Sequence, residues 1–423
     1  MNQIRSTVRR LPLLRSIAVW GPGLLVMLAD TDAGNVVTAA QAGAQWGYRL
    51  LPLLVLLIPL LYMAQELTVR LGIYTGRGHG ELIREHFGPV WSWVSVAGLG
   101  VATVGSLVTE FTAVAGIGEL FGVSRSLTLP AAALGLVAIV ATGSYRRIER
   151  MALLIGLLEL AFFAVAWSTH PDWRVVAADV ADLPLGNHEF LYLVAALIGA
   201  VFNPWMVFYQ QAAVADKGLT PADCQAERWD TAVGAVLTQA LTAAVLVAAA
   251  ATLGASSGSG GSGAHGSLDS VGEISSALAP LLGAQWGRVV FSAGVLGAAL
   301  VAAIVASLAL AWGVGEVTGV RRSLEYRPQQ APWFYGVYVA AVAGSAALVW
   351  ASRDLVWLNI GAQVVNAFLL PLVLGLLVAL AARALPDAAK LSRPYTWILA
   401  GATFAVCVLG WFGALWGWIG SVK

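Results

Sequence analysis

Residues 21–45 read GPGLLVMLA (21–29), Asp30-Thr31-Asp32-Ala33-Gly34-Asn35, then VVTAAQAGAQ (36–45). Two carboxylates and an asparagine thus stand in the middle of an apolar run. At the centre of a membrane helix one charge costs about 2.5 kcal/mol or more, so a continuous lipid-facing helix would not carry this group. An apolar half, a polar centre with a glycine and a second half predict a helix that opens in mid-membrane. A second stretch has the same anatomy: LYLVAALIGA (191–200), Val201-Phe202-Asn203-Pro204, then WMVFYQQAAV (205–214). Proline lacks a backbone donor and disfavours helix at the residue before it, so this helix should open at Asn203. Five spans separate the two breaks, a spacing expected of two inverted five-helix repeats whose discontinuous helices meet at the midplane.

The rest of the chain fits that frame. Of its 423 residues 59% are hydrophobic and 11% charged, and the mean hydropathy is +0.78, which predicts an all-α integral membrane protein. Twenty-four basic against 23 acidic residues leave no polycationic face for nucleic acid, and two cysteines, Cys224 and Cys407, build neither a disulfide framework nor a thiolate cluster. The five histidines fall in connections or at span edges, which argues against a buried histidine cluster. No nucleotide-binding glycine loop, histidine-rich metal motif or activated-serine motif appears, so an enzyme is not expected. Apolar runs long enough to cross hydrocarbon predict eleven spans, near 17–44, 50–72, 90–121, 127–143, 151–168, 189–214, 230–253, 287–317, 333–351, 354–381 and 396–419. The expected organisation is a basic tail over 1–16, a first repeat over 17–168, a second over 189–381 and an additional helix over 396–419. With the N-terminus in the cytoplasm, 18 of the 24 basic residues fall on the inner side and 6 on the outer, which predicts that orientation and an external C-terminus in a bacterial plasma membrane. No signal-peptide cleavage site is read after the tail. The Gly/Ser-rich residues 254–267 should form a flexible external loop, with a short surface helix over 268–282. Tryptophans near span ends, among them Trp91, Trp93, Trp167, Trp173, Trp333 and Trp350, fit an interfacial belt contacting lipid.

The polar groups at the breaks define a chemistry. Asp32 offers an acceptor-only carboxylate, Asn35 and Asn203 offer amide oxygens, and the opened turn before Asn203 frees carbonyls such as that of Ala200. These are hard oxygen ligands, suited to Mg²⁺, Ca²⁺ or Mn²⁺ and poorly suited to copper or zinc. Asp30 and Glu110 are further intramembrane acids expected to line the cavity. Met206, one helical turn beyond Asn203, is a pocket residue or packing filler. Gln363 and Asn366 lie one turn apart in the tenth span, where amides serve either the site or interhelical hydrogen bonds. Glu66, Glu159 and Glu316 are read as structural.

At these residues the chain resembles the natural resistance-associated macrophage protein (Nramp) family of divalent-metal transporters. The similarity is carried by Asp32-Ala33-Gly34-Asn35, by Gln41-Ala42-Gly43-Ala44-Gln45-Trp46-Gly47-Tyr48, by Arg70-Leu71-Gly72, by Gly199-Ala200 with Pro204, and by Gln363 with Pro371. The resemblance implies a LeuT-like fold with helices 1 and 6 broken, an eleventh helix, and a gating or transient ligand role for Gln363. Three departures qualify it. The family's methionine before the span-six proline is Asn203, its histidine after that proline is Trp205, and its span-three acidic pair reads Glu110 and Ala113. These departures resemble the Nramp-related magnesium transporters. They imply Mg²⁺ and Mn²⁺ as transported substrates with no cofactor and no obligatory proton coupling; a monomer is the expected state, though no residue pattern fixes it. A proton-coupled Mn²⁺ or transition-metal transporter, and a sodium-coupled amino-acid symporter on the same fold, are the alternatives.

Overall fold

The computed structural model describes residues 21–253, 274, 286–351 and 356–421, and every regular element among them is helical. The expected basic tail (1–16), the Gly/Ser loop (254–267) and, apart from Ile274, the surface helix proposed over 268–282 lie outside the described residues.

The first span is two helices, α1 (Pro22–Asp30) and α2 (Ala33–Trp46), separated at Thr31 and Asp32. Then come α3 (Leu51–Thr75), a short α4 (His79–Phe87), α5 (Pro89–Leu120) and α6 (Arg125–Val140). The fifth span starts earlier than the charges suggested. Tyr145–Gly156 forms α7, so the basic cluster Arg146, Arg147 and Arg150 lies in its first turns and not in a loop. A 3₁₀ turn over Leu157–Leu160 then interrupts the span before α8 (Ala161–Trp167). A helix absent from the sequence reading, α9 (Trp173–Ala181), precedes the sixth span, which is α10 (His188–Val201) and α11 (Pro204–Asp216). The remaining helices are α12 (Cys224–Leu253), α13 (Trp286–Thr318), α14 (Pro332–Ala351), α15 (Val356–Ala384) and α16 (Arg393–Ser421). Helix α12 begins six residues before the expected span because Cys224–Trp229 continue it as a polar, amphipathic first turn and a half.

Both breaks follow local chemistry. Asp32 is the N-cap of α2: its backbone is extended (φ −61°, ψ 169°) and its carboxylate accepts from the Asn35 N–H. Asn203 occupies the equivalent position before α11, extended at φ −70°, ψ 133°, with Pro204 as the first helical residue. The half-helices are then held by packing. Helix α12 lies along α1, α2 and α3, while α13 runs beside α5, α11 and α1. Helix α10 packs against α15 and α16.

Eight helices among the described residues are long and apolar enough to cross a membrane, counting α10 and α11 together, and the chain is a multi-pass membrane protein. The six tryptophans named above are all exposed, at or beside helix ends, as an interfacial belt requires. The two ends of the broken first span are tied down by acids. Asp230 on α12 accepts from the backbone N–H groups of Gly21, Gly23 and Leu24 at 2.9, 2.9 and 3.1 Å, capping the positive end of α1. At the other end Arg49 pairs with Asp179 and Asp182, and the Tyr48 N–H donates to Asp179, fastening α9 to the exit of α2.

Candidate cation site

The residues named for metal chemistry meet where the two breaks face each other. Asp32, Asn35, Ala200, Asn203 and Gln363 are each at most 1% exposed. Asp32 Oδ1 accepts from the Asn35 N–H at 2.7 Å and its Oδ2 has no protein partner. The Asn35 amide nitrogen donates to the Asp30 carbonyl at 2.9 Å and to Thr242 at 3.2 Å, which fixes the side chain and leaves Oδ1 unpartnered. Two carboxamide and carboxylate oxygens are therefore held in place with free lone pairs at the N-terminus of α2.

The second break contributes amides. Asn203 donates through Nδ2 to the Ala200 carbonyl at 2.8 Å, and Asn366 donates to the Asn203 Oδ1 and, at 3.1 Å, to the Gln363 Oε1. The Ala200 carbonyl and Asn203 amide oxygen are thus each engaged by one protein donor in this conformation, and each keeps a second lone pair. Gln363 reaches across to α2: a methyl group added at Gly34 would sit 2.1 Å from its Nε2. Gly199 gives the same helix its approach on the other side, where an added Cβ would lie 1.9 Å from the Gln363 carbonyl. Only glycine allows α10 and α15 this close.

The expected cavity residues divide. Glu110 binds directly at the break, accepting from the Ala33 N–H at 3.1 Å, with Oε1 unpartnered. Asp30 is fully buried beside Asn203 and Thr238, with neither carboxylate oxygen hydrogen-bonded. Trp205 and Met206 are fully buried in the core, the Trp205 indole N–H without a partner. Asn366 links Asn203 to Gln363. Glu66 and Glu316 have the structural roles expected of them: Glu66 pairs with Arg70 and Arg228, and Glu316 accepts from the Gly80 N–H at 2.7 Å.

Glu159 does not. The 3₁₀ turn carries it, fully buried, to the Thr31 side of the first break, with both oxygens unpartnered. The signal was present in the sequence, since Glu159 lies in the apolar run LLIGLLELAFFAVAW and the cost of an intramembrane charge applies to it as to Glu110. Thr31, Thr238 and Thr242, whose hydroxyls bind in and around the break, had no such signal. Among the described residues no three His, Cys, Asp or Glu side chains converge into a metal centre. One carboxylate with amides at Asp32 is a mixed hard-oxygen set.

The architecture is that of the LeuT-like transporters. It superposes on the Eremococcus coleocola manganese transporter with a TM-score of 0.75 at 18% identity, covering 96% of this chain and 87% of that one. It also superposes on Mhp1, a nucleobase-cation-symport-1 family transporter, with a TM-score of 0.55 at 15% identity, covering 94% and 90%. Residues 23–414 match the family described as Natural resistance-associated macrophage protein-like, and the chain belongs to that family. Among its relatives is the divalent metal cation transporter MntH of Brucella suis, 26% identical over 412 residues that cover 93% of this chain and 87% of the relative.

Proposed function

We propose that the protein is a divalent-cation transporter that carries Mg²⁺, and also Mn²⁺, by alternating access between the two broken helices. The observation that carries this reading is Asn203: a hard amide oxygen, bound by Asn366, in the opened turn before Pro204. Sulfur at that place would favour soft cations over Mg²⁺, and an oxygen removes that discrimination. The metal is cargo and not a cofactor, and the protein is not an enzyme, in keeping with relatives named as divalent metal cation transporters. Asp32 and Asn35 supply oxygens with no side-chain donor left to lose, and Ala200, Asn203 and Gln363 add oxygens that already accept one hydrogen bond each. Asp30, Glu110, Trp205, Met206 and Asn366 are the buried residues assigned to the surroundings of that set.

The domain division at 17–168 and 189–381, the cytoplasmic N-terminus, the external C-terminus and a monomer in a bacterial plasma membrane complete the proposal. Transport in this reading needs no obligatory proton, because Trp205 follows Pro204 and an indole cannot titrate, and because Ala113 stands one turn from Glu110. The Mn²⁺-selective reading is favoured by the manganese transporter sharing the fold. Uptake into proteoliposomes separates the two, with Mg²⁺, Mn²⁺ and Cd²⁺ in competition and a pH-sensitive dye inside. Mg²⁺ should compete, and metal uptake should proceed without matching acidification. Indifference to Mg²⁺ would remove the magnesium reading, and acidification equal to metal flux would remove the uncoupled one.

A further inference from the structure

Glu159 is an acid that the Asp32 site does not use. It stands on the 3₁₀ turn Leu157–Leu160, in a helix separate from both breaks, with no exposure and no hydrogen bond to either carboxylate oxygen. Its polar neighbour is Thr31, the residue between α1 and α2. The Thr31 hydroxyl lies 2.8 Å from that of Thr238 on α12. Thr238 in turn borders Asp30, whose two oxygens are also buried and unpartnered. Carboxylate, hydroxyl, hydroxyl and carboxylate therefore form one continuous patch of oxygen at the C-terminal end of α1, where the helix dipole adds negative charge.

The charge count makes this patch demanding. Asp30, Asp32, Glu110 and Glu159 all surround one helix break and act on one another electrostatically. None of them joins an ion pair with Lys, Arg or His among the described residues. A buried carboxyl without a partner must hold either a proton or a cation, and a divalent ion at Asp32 leaves Asp30 and Glu159 with that choice. The unpartnered oxygens of Asp30 and Glu159 border the Thr238 and Thr31 hydroxyls respectively.

We propose that Asp30, Thr31, Glu159 and Thr238 hold a second hard cation beside the Asp32 position. Two carboxylates and two hydroxyls are oxygen donors of the kind that alkali and alkaline-earth ions and Mn²⁺ take, and they offer nothing to thiophilic metals. The site comprises two carboxylates only, in keeping with the lack of any three-acid centre. It is built from three elements that meet only in the fold: the end of α1, the 3₁₀ turn of the fifth span, and α12.

The test is cation stoichiometry on the purified full-length chain in nanodiscs, by equilibrium dialysis and calorimetry. One arm uses Mg²⁺ or Mn²⁺ alone. The other titrates Mn²⁺ in Na⁺, in K⁺ and in choline. A divalent occupant gives two divalent ions per chain, and a monovalent one makes Mn²⁺ affinity depend on Na⁺ or K⁺ but not on choline. Glu159→Gln should remove that second event or that dependence and leave the Asp32-dependent event in place. Thr31→Val, which keeps the side-chain volume and loses the hydroxyl, should weaken the same event several-fold and guards against misfolding of the first variant. A wild-type chain that binds one cation with no Na⁺ or K⁺ dependence overturns the proposal, as does an undiminished second event in Glu159→Gln. The transport reading fails separately, if no binding event is lost in Asp32→Ala.

Discussion

Asn203→Met tests the selectivity argument at its narrowest point. In the structure Asn203 is 1% exposed, gives one hydrogen bond to the Ala200 carbonyl and accepts one from Asn366. Methionine can do neither, so the two lost bonds cost about 0.5–1.5 kcal/mol each in stability. Asn366 keeps its bond to Gln363, which limits the damage on that side. For the cargo the exchange is asymmetric. A neutral oxygen against a charge is worth about 1.5–3 kcal/mol, so losing it should weaken Mg²⁺ by about 10- to 150-fold, while Cd²⁺ gains a thioether. A cation that keeps a water between itself and the sulfur would show the lower end of that range. The assay is competition uptake with Mg²⁺, Mn²⁺ and Cd²⁺ in proteoliposomes, with thermal melting to establish that the variant is folded. A folded variant whose Cd²⁺ to Mg²⁺ preference equals that of the wild type would refute the reasoning.

Three further perturbations follow from the geometry. Asp32→Ala should abolish cation-dependent uptake while the chain remains folded, since the lost N-cap costs only about 0.5–2 kcal/mol; normal Mg²⁺ flux would show that the ligand lies elsewhere. Gly199→Ala should destabilise more than Gly34→Ala, because its added Cβ meets the Gln363 backbone carbonyl whereas that at Gly34 meets the end of the Gln363 side chain, which can swing away. Overpacking of the first kind costs about 1–3 kcal/mol or more, and equal melting temperatures for the two variants would contradict the packing described. Asp230→Ala leaves the Gly21, Gly23 and Leu24 N–H groups without their acceptor and should lower stability by about 1–3 kcal/mol. Asp230→Asn, which retains an acceptor oxygen, should recover part of that loss, and identical melting of both variants would count against a capping role.

Much of the architecture was legible because the membrane imposes strict rules on sequence. Hydrocarbon admits backbone only as satisfied helix, so apolar runs become spans and polar interruptions become breaks; Asp32-Ala33-Gly34-Asn35 and Asn203-Pro204 announced both discontinuities by local chemistry alone. The fifth span's start and α9 were not legible, because Arg146, Arg147 and Arg150 are compatible with either a loop or the polar first turns of a helix, and α9 buries no side chain to give it a periodic signature. Which oxygens are free was decided only by the tertiary structure. Asn35 keeps an open Oδ1 because Asp30 and Thr242 take its amide protons, while the Ala200 carbonyl is occupied by Asn203. Glu110 and Glu159 both stand in apolar runs, yet only Glu110 is read from sequence as a cavity residue and Glu159 as structural. Their surroundings differ because a helix N–H meets Glu110 while a threonine hydroxyl faces Glu159, and such pairings join residues 77 or more positions apart, which no local pattern encodes.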